Sequence, residues 1–306
     1  QYKGGFTMKK KLISLLLIIC CTATWSFTAY SKTEMIAEQQ KTVTVTQKTI
    51  SQKEFENIDK IQIFWSRGQV YVTQSPDENV YITEKAFVMP KETEVVGVSV
   101  KEDTLLIKDY HTISNLSVQN NMDIDTKEFQ QLLQQYHDTE YDLYVSLPQK
   151  QYKEFYFKTV NANCTLENND FDTVITEAVN GEMQFDNVNA DFINSNTVNG
   201  SILLHTGTDA QKYHLKSVNG TINADFMIFP TALSVETVNG NITLSLPEND
   251  GFTMYKNKLK TYKDFSSSFA LKDSNQKKVY KNGEILLDIV CVNGSVTLKK
   301  AESTDC

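Results

Sequence analysis

Thr197-Val198-Asn199-Gly200-Ser201-Ile202, Ser217-Val218-Asn219-Gly220-Thr221-Ile222 and Thr237-Val238-Asn239-Gly240-Asn241-Ile242 are three copies of one phrase. Weaker copies carry Val160-Asn161-Ala162, Val179-Asn180-Gly181 and Val292-Asn293-Gly294, and a half-period echo, Val188-Asn189-Ala190, lies between the second and third Val-Asn pairs. The first five pairs are separated by 19, 19, 20 and 20 residues, and the sixth follows after 54. A constant period of this length marks a repeat architecture in which each unit needs its neighbours to bury its apolar face.

Four and six positions after each Val stand Cys164 and Leu166, Met183 and Phe185, Ile202 and Leu204, Ile222 and Ala224, Ile242 and Leu244, and Val296 and Leu298. They alternate with polar residues, the period-two signature of a half-buried strand. Each unit therefore reads as strand, corner, strand, second turn. The corner residues are Asn161, Asn180, Gly181, Asn199, Gly200, Asn219, Gly220, Asn239, Gly240, Asn293 and Gly294. Glycine is expected there for its access to positive φ, with Asn the next most tolerant residue. Ala162 and Ala190 depart from it, so those two turns are expected to be less regular.

An Asn-Gly between alternating strands also signals a hairpin, so an antiparallel meander or sandwich is the alternative fold. The near-constant period favours an all-β solenoid of about 20-residue coils. Like residues then stack on like, with Asn amides bonding along the axis.

Working outward, the chain has 306 residues, 40% apolar and 22% charged, enough to bury a large core. Its 38 acids against 30 bases argue against nucleic acid as a partner, and four scattered His suggest neither metal nor cofactor. Residues 1–7 read as leader sequence ahead of a start at Met8. Residues 8–31 read as a signal peptide or an uncleaved anchor: Lys9-Lys10-Lys11, an apolar run from Leu12 to Cys21, and Ala29-Tyr30-Ser31 at the cleavage point. Beyond them the chain carries 26 bases against 38 acids. Residues 32–50 read as a linker and 51–300 as one elongated β domain. Within it, 51–158 is irregular β structure with a short helix near 126–137, 159–247 holds the regular repeats, and 248–300 is a lysine-rich insertion followed by the last repeat. Upstream strands are expected at Ile61–Trp65, Gln69–Val72, Asn79–Ile82, Val95–Val100 and Leu105–Ile107, broken by turns such as Ser66-Arg67-Gly68.

Three groups of residues could carry chemistry. Asp170, Asp172, Asp186 and Asp191 crowd one turn, where a paired-carboxylate or calcium site is conceivable, although Asx turns account for such residues more simply. Cys164 and Cys291 occupy packing positions, and Cys306 ends the chain. Lys256 to Lys281 holds eight lysines against Asp264 and Asp273. Lys256, Lys258, Lys260, Lys263, Lys277 and Lys278 are the candidates for binding an anionic surface, the alternative being a lysine-guarded sheet edge.

Gly68-Gln69-Val70-Tyr71-Val72, then Asp142-Leu143-Tyr144-Val145-Ser146-Leu147-Pro148 leading into Thr159-Val160-Asn161, then the repeated Val-Asn-Gly, resemble a bacterial adhesin-type domain of unknown function. That family is similar to the Lia-type cell-envelope stress proteins of Gram-positive bacteria. The resemblance covers residues 50–300 and implies a β-helical, surface-exposed, non-enzymatic protein, acting in adhesion or envelope stress, and it brings no catalytic residue. The expected partners are an anionic cell-wall polymer, lipid headgroups or an envelope protein, with the oligomeric state open. A carbohydrate-active β-helix enzyme using Asp170 to Asp191 is the alternative function.

Overall fold

The computed structural model describes residues 43–86, 96–109, 141–205, 207–255 and 264–301, all within one compact unit, Lys41–Cys306. The expectations for residues 1–42, for a helix near 126–137, and for Lys256, Lys258, Lys260, Lys263 and Cys306 fall outside the described residues. β1 (Val43–Ile50) pairs antiparallel with β3, so strand structure begins inside the stretch read as linker. A single-turn helix, α1 (Gln52–Phe55), follows, with the Glu54 carboxylate accepting from the Ser51 N–H and hydroxyl at 3.1 and 2.8 Å. Then come β2 (Lys60–Gln74), β3 (Val80–Ala86), β4 (Gly97–Lys101), β5 (Thr104–Lys108) and β6 (Tyr141–Leu147).

The repeats occupy β7 (Gln151–Asn180), β8 (Met183–Asn199), β9 (Ile202–Leu204), β10 (Asp209–Ser217), β11 (Ile222–Asp225), β12 (Ala232–Asn239) and β13 (Ile242–Leu246). The insertion contributes β14 (Gly251–Tyr255), β15 (Asp264–Ser267), β16 (Lys272–Asp273) and β17 (Lys277–Lys281), and the chain returns through β18 (Ile285–Asn293) and β19 (Ser295–Lys300).

Pairing decides between the two folds. Across a hairpin the partner strand lies just beyond the turn and runs antiparallel. Here it runs parallel one coil away: Asn180 opposite Asn199, Ile202 opposite Ile222, Leu215 opposite Val235, and Ile242 opposite Val296. The protein is therefore a β-solenoid. Strands before each corner form one face and strands after it another, and the inward columns meet between them. One column after the corner runs Val70, Cys164, Met183, Ile202, Ile222, Ile242 and Val296, all at most 3% exposed.

The stack does not follow chain order. β2 lies between β6 and β7, parallel to both, so the coil made by β5 and β6 is outermost although it follows β2 in sequence. Trp65-Ser66-Arg67-Gly68 thereby becomes a full corner, with Arg67 opposite Asn161 and Gly68 opposite Ala162. Antiparallel pairs appear at the two ends, in β1–β3, β3–β6 and β4–β5 and in β14–β17 and β16–β17. The insertion turns back so that β15 pairs parallel with β19 as a further rung.

The reason for glycine at the corners is different from the one expected. Gly181, Gly200, Gly220, Gly240 and Gly294 are not among the positive-φ residues. A Cβ on each would lie 2.0, 1.9, 1.9, 2.0 and 1.8 Å from the carbonyl oxygen of the corner residue one coil back. Glycine is required by this backbone approach along the axis. Gly68 alone of the corner glycines has positive φ, at +93°, so the expectation holds at that corner only; elsewhere positive φ falls in the second turns, at Asn168 and Asn187, +55° and +52°. Ala162 sits within the unbroken β7, and the 188–190 echo is no corner, since Asn189 lies opposite Asp170 in that second turn.

Candidate functional site

The Thr/Ser, Asn, Gly and Ile positions of Thr/Ser-Val-Asn-Gly-x-Ile each have a task. The Thr or Ser points inward and its hydroxyl donates to the corner carbonyl one coil back: Thr197 to Gly181 at 3.2 Å, Ser217 to Gly200 at 2.9 Å and Thr237 to Gly220 at 3.0 Å. Each corner carbonyl thereby gains a side-chain donor. Cys291 takes the same place, its Sγ 3.6 Å from Gly240 O.

The Asn side chains form a ladder along the ridge. Nδ2 of Asn180, Asn199, Asn219, Asn239 and Asn293 donates in turn to Oδ1 of Asn161, Asn180, Asn199, Asn219 and Asn239, at 2.6 to 2.8 Å. The sequence-derived corner residues are thus brought into one continuous row. They form a structural spine, because each amide is engaged by its neighbour.

The aspartates are engaged likewise. Asp170 accepts from Asn189 at 2.7 Å, Asp172 from Gln151 at 2.9 Å and Asp191 from Gln211 at 3.2 Å, each from an adjoining coil. Asp186 accepts from Gln184 at 2.7 Å, and His205 Nε2 lies 3.8 Å from its other oxygen, a neighbour that only coil register reveals. No group of three ligands able to hold a metal occurs among the described residues. The recess lined by Ser274, Asn275, Gln276 and Lys277 is open to solvent and contains no carboxylate. Asp170, Asp172 and Asp191 thus bond between coils, and Asp186 bonds within its own strand. Cys164 and Cys291 are free and buried, and desolvation pushes both thiols up, away from the reactive thiolate.

At the C-terminal end, Lys278 pairs with Asp273 at 2.9 Å and lies over the Phe265 ring, with only 14% of its side chain exposed, while Lys277 lies over Tyr255. Glu248 binds Lys281 at 2.6 Å and Lys300 at 2.9 Å and accepts from the Tyr280 hydroxyl. Led by Lys281, these donors hold the Glu248 carboxyl down at about 2. The cluster fastens the insertion to the final coil, a role hidden in a sequence where its members lie far apart. No helix among the described residues is long and apolar enough to cross a membrane.

Parallel coils and an amide spine define a repeat β-solenoid. The Toastrack DUF4097 family matches residues 22–299, and the chain belongs to that family. Among solved structures, it is similar to a candidate cell adhesion protein from Clostridium sporogenes ATCC 15579, at 11% identity and a TM-score of 0.35 over 85% of this chain and 100% of that one. It is similar to a candidate adhesin from Bacteroides fragilis NCTC 9343, at 12% and 0.42 over 84% and 97%. A candidate lipid binding protein from Parabacteroides distasonis ATCC 8503 matches at 11% and 0.32 over 84% and 96%. No curated protein is similar to the chain.

Proposed function

We propose that the chain is an exported, non-catalytic cell-envelope protein, serving adhesion or the response to envelope stress. Its solenoid body is a rigid scaffold and its lysine-rich C-terminal end binds an anionic surface. The observation that carries this reading is the segregation of charge: residues 256–281 hold eight lysines against two acids in a chain of net charge −8. The described part of that segment reaches the last rung of the stack, where β15 lies on β19. A cationic end on an acidic body orients the molecule toward a polyanion and keeps the rest of it away.

The test is retention of the Lys41–Cys306 unit on purified wall teichoic acid and on phosphatidylglycerol vesicles. Replacing Lys256, Lys258, Lys260 and Lys263 with Gln should abolish retention, and binding by the unaltered unit should weaken as salt rises, since charges beyond about 8 Å are screened at physiological ionic strength. Equal retention of variant and parent would leave the lysines as guards of a sheet edge.

A further inference from the structure

We propose that the loop tip Met227–Ile228 is a membrane wedge that enters the headgroup layer of an anionic phospholipid bilayer. This inference rests on the anionic-surface reading above and selects the bilayer as that surface. In the coils before it the second turn is polar, built on Asn168, Asn187 and Gly207-Thr208. In the next coil the same place is Phe226-Met227-Ile228-Phe229-Pro230, and Met227 and Ile228 are 53% and 61% exposed. With Leu286, at 46%, they are three of the four large apolar side chains exposed among the described residues. Leu286 lies opposite Thr253, next to the Phe252 that Phe229 stacks on, so all three belong to the C-terminal end.

The tip is held outward by its shoulders. Phe226, 2% exposed, packs edge-on against Tyr213 at 4.9 Å, and Phe229 stacks on Phe252 at 6.0 Å. The two residues between these anchors cannot fold back into a core already filled by their neighbours. Two cations lie at the same end of the stack. The Phe226 N–H donates to Ser245 O, so the loop leaves its coil against β13, the strand that leads into Glu248. The Lys281 and Lys300 ammoniums flank that one carboxylate, and both side chains are nearly half exposed. Apolar side chains among long lysines match a bilayer interface, where the former enter the acyl boundary and the latter reach phosphate. A hydrated sugar-phosphate polymer offers the Met and Ile side chains no apolar phase.

The experiment uses the Lys41–Cys306 unit with phosphatidylglycerol vesicles, phosphatidylcholine vesicles and purified teichoic acid. The double variant Met227→Ser/Ile228→Ser should lose about tenfold or more in partitioning to phosphatidylglycerol vesicles, with unchanged circular dichroism and unchanged retention on teichoic acid. Ile228→Trp should show a blue-shifted emission with phosphatidylglycerol vesicles and quenching by brominated lipid; the unit's own Trp65 is buried and silent to both. Equal partitioning of double variant and parent overturns the wedge, as does an unshifted Ile228→Trp spectrum. Salt-sensitive retention on teichoic acid with no vesicle binding overturns the wedge and leaves the anionic-surface reading standing. Failure on every anionic probe overturns both.

Discussion

Asn293 Nδ2 donates to Asn239 Oδ1 at 2.8 Å across 54 residues of chain, almost the 2.7 Å at which Asn239 donates to Asn219 across 20. The ladder ignores sequence distance. The coil that should follow Asn239 is displaced by the insertion, yet β18 and β19 return to the same register, so stacking is set by the corner phrase and not by the length of chain between copies. Adding a carboxamide to this row should stabilise in proportion to the bonds it makes. Asn219→Ala removes two ladder bonds and Asn293→Ala removes one, so the mid-ladder variant should cost about 1–2 kcal/mol and the terminal one about half of that. Urea denaturation of both variants measures the ratio; equal costs would mean that the amides act singly.

Gly220 tests why the corners are glycine. If positive φ were the requirement, Asn would be the best replacement and Ala a worse one. With the Gly200 carbonyl oxygen 1.9 Å from any added Cβ, both should fail, at about 3 kcal/mol or more, and Asn should be no better than Ala because its larger side chain starts from the same forbidden Cβ. Thermal unfolding of Gly220→Ala and Gly220→Asn decides it, and a stable Asn variant would restore the φ argument.

Ile242 and Asn241 test the register. Ile242 is fully buried, and Ile242→Asp should unfold the stack, losing about 1.5–3 kcal/mol of burial and adding an unpaired buried carboxylate. Asn241 is exposed, and its Oδ1 accepts the Ser295 N–H and hydroxyl at 2.9 Å each. Asn241→Asp keeps that acceptor, so its denaturation midpoint should match the parent's. Similar losses at both positions would place the side chains one residue out of register.

These cases show what the sequence could and could not convey. Ile202, Ile222 and Ile242 could be read as an inward column because period-two alternation and a 20-residue period are both local counts. The reason for Gly220 was hidden, since the atom that excludes its Cβ belongs to another coil and leaves no local trace. Trp65-Ser66-Arg67-Gly68 escaped recognition as a corner because the intervening chain holds a whole coil and no Val-Asn-Gly phrase. The Glu248 cluster joins residues 33 and 52 positions apart, and only the return of β17 and β19 brings Lys281 and Lys300 to it.

Two carboxylates give stability opposite dependences on pH. Glu84, 2% exposed on β3, accepts the Val96 N–H at 3.0 Å, yet desolvation first and the charge of Asp109 besides raise its pKa above the usual 4.5. Its folded form holds the proton more tightly than the unfolded chain does, so stability falls as pH rises from 4.5 through the raised value. Glu84→Gln should therefore be more stable than the parent above that window and indistinguishable below it. Glu248 runs the other way. Its carboxyl is held at about 2, so the stabilisation it gives is complete above 4.5 and is lost as pH falls toward 2. Glu248→Gln should weaken the protein at neutral pH and lose that deficit on acidification. Denaturation midpoints of the two variants, taken from acid to neutral pH, should thus diverge from the parent in opposite directions; a Glu84→Gln variant less stable than the parent at neutral pH would show that the Val96 bond outweighs the burial of charge.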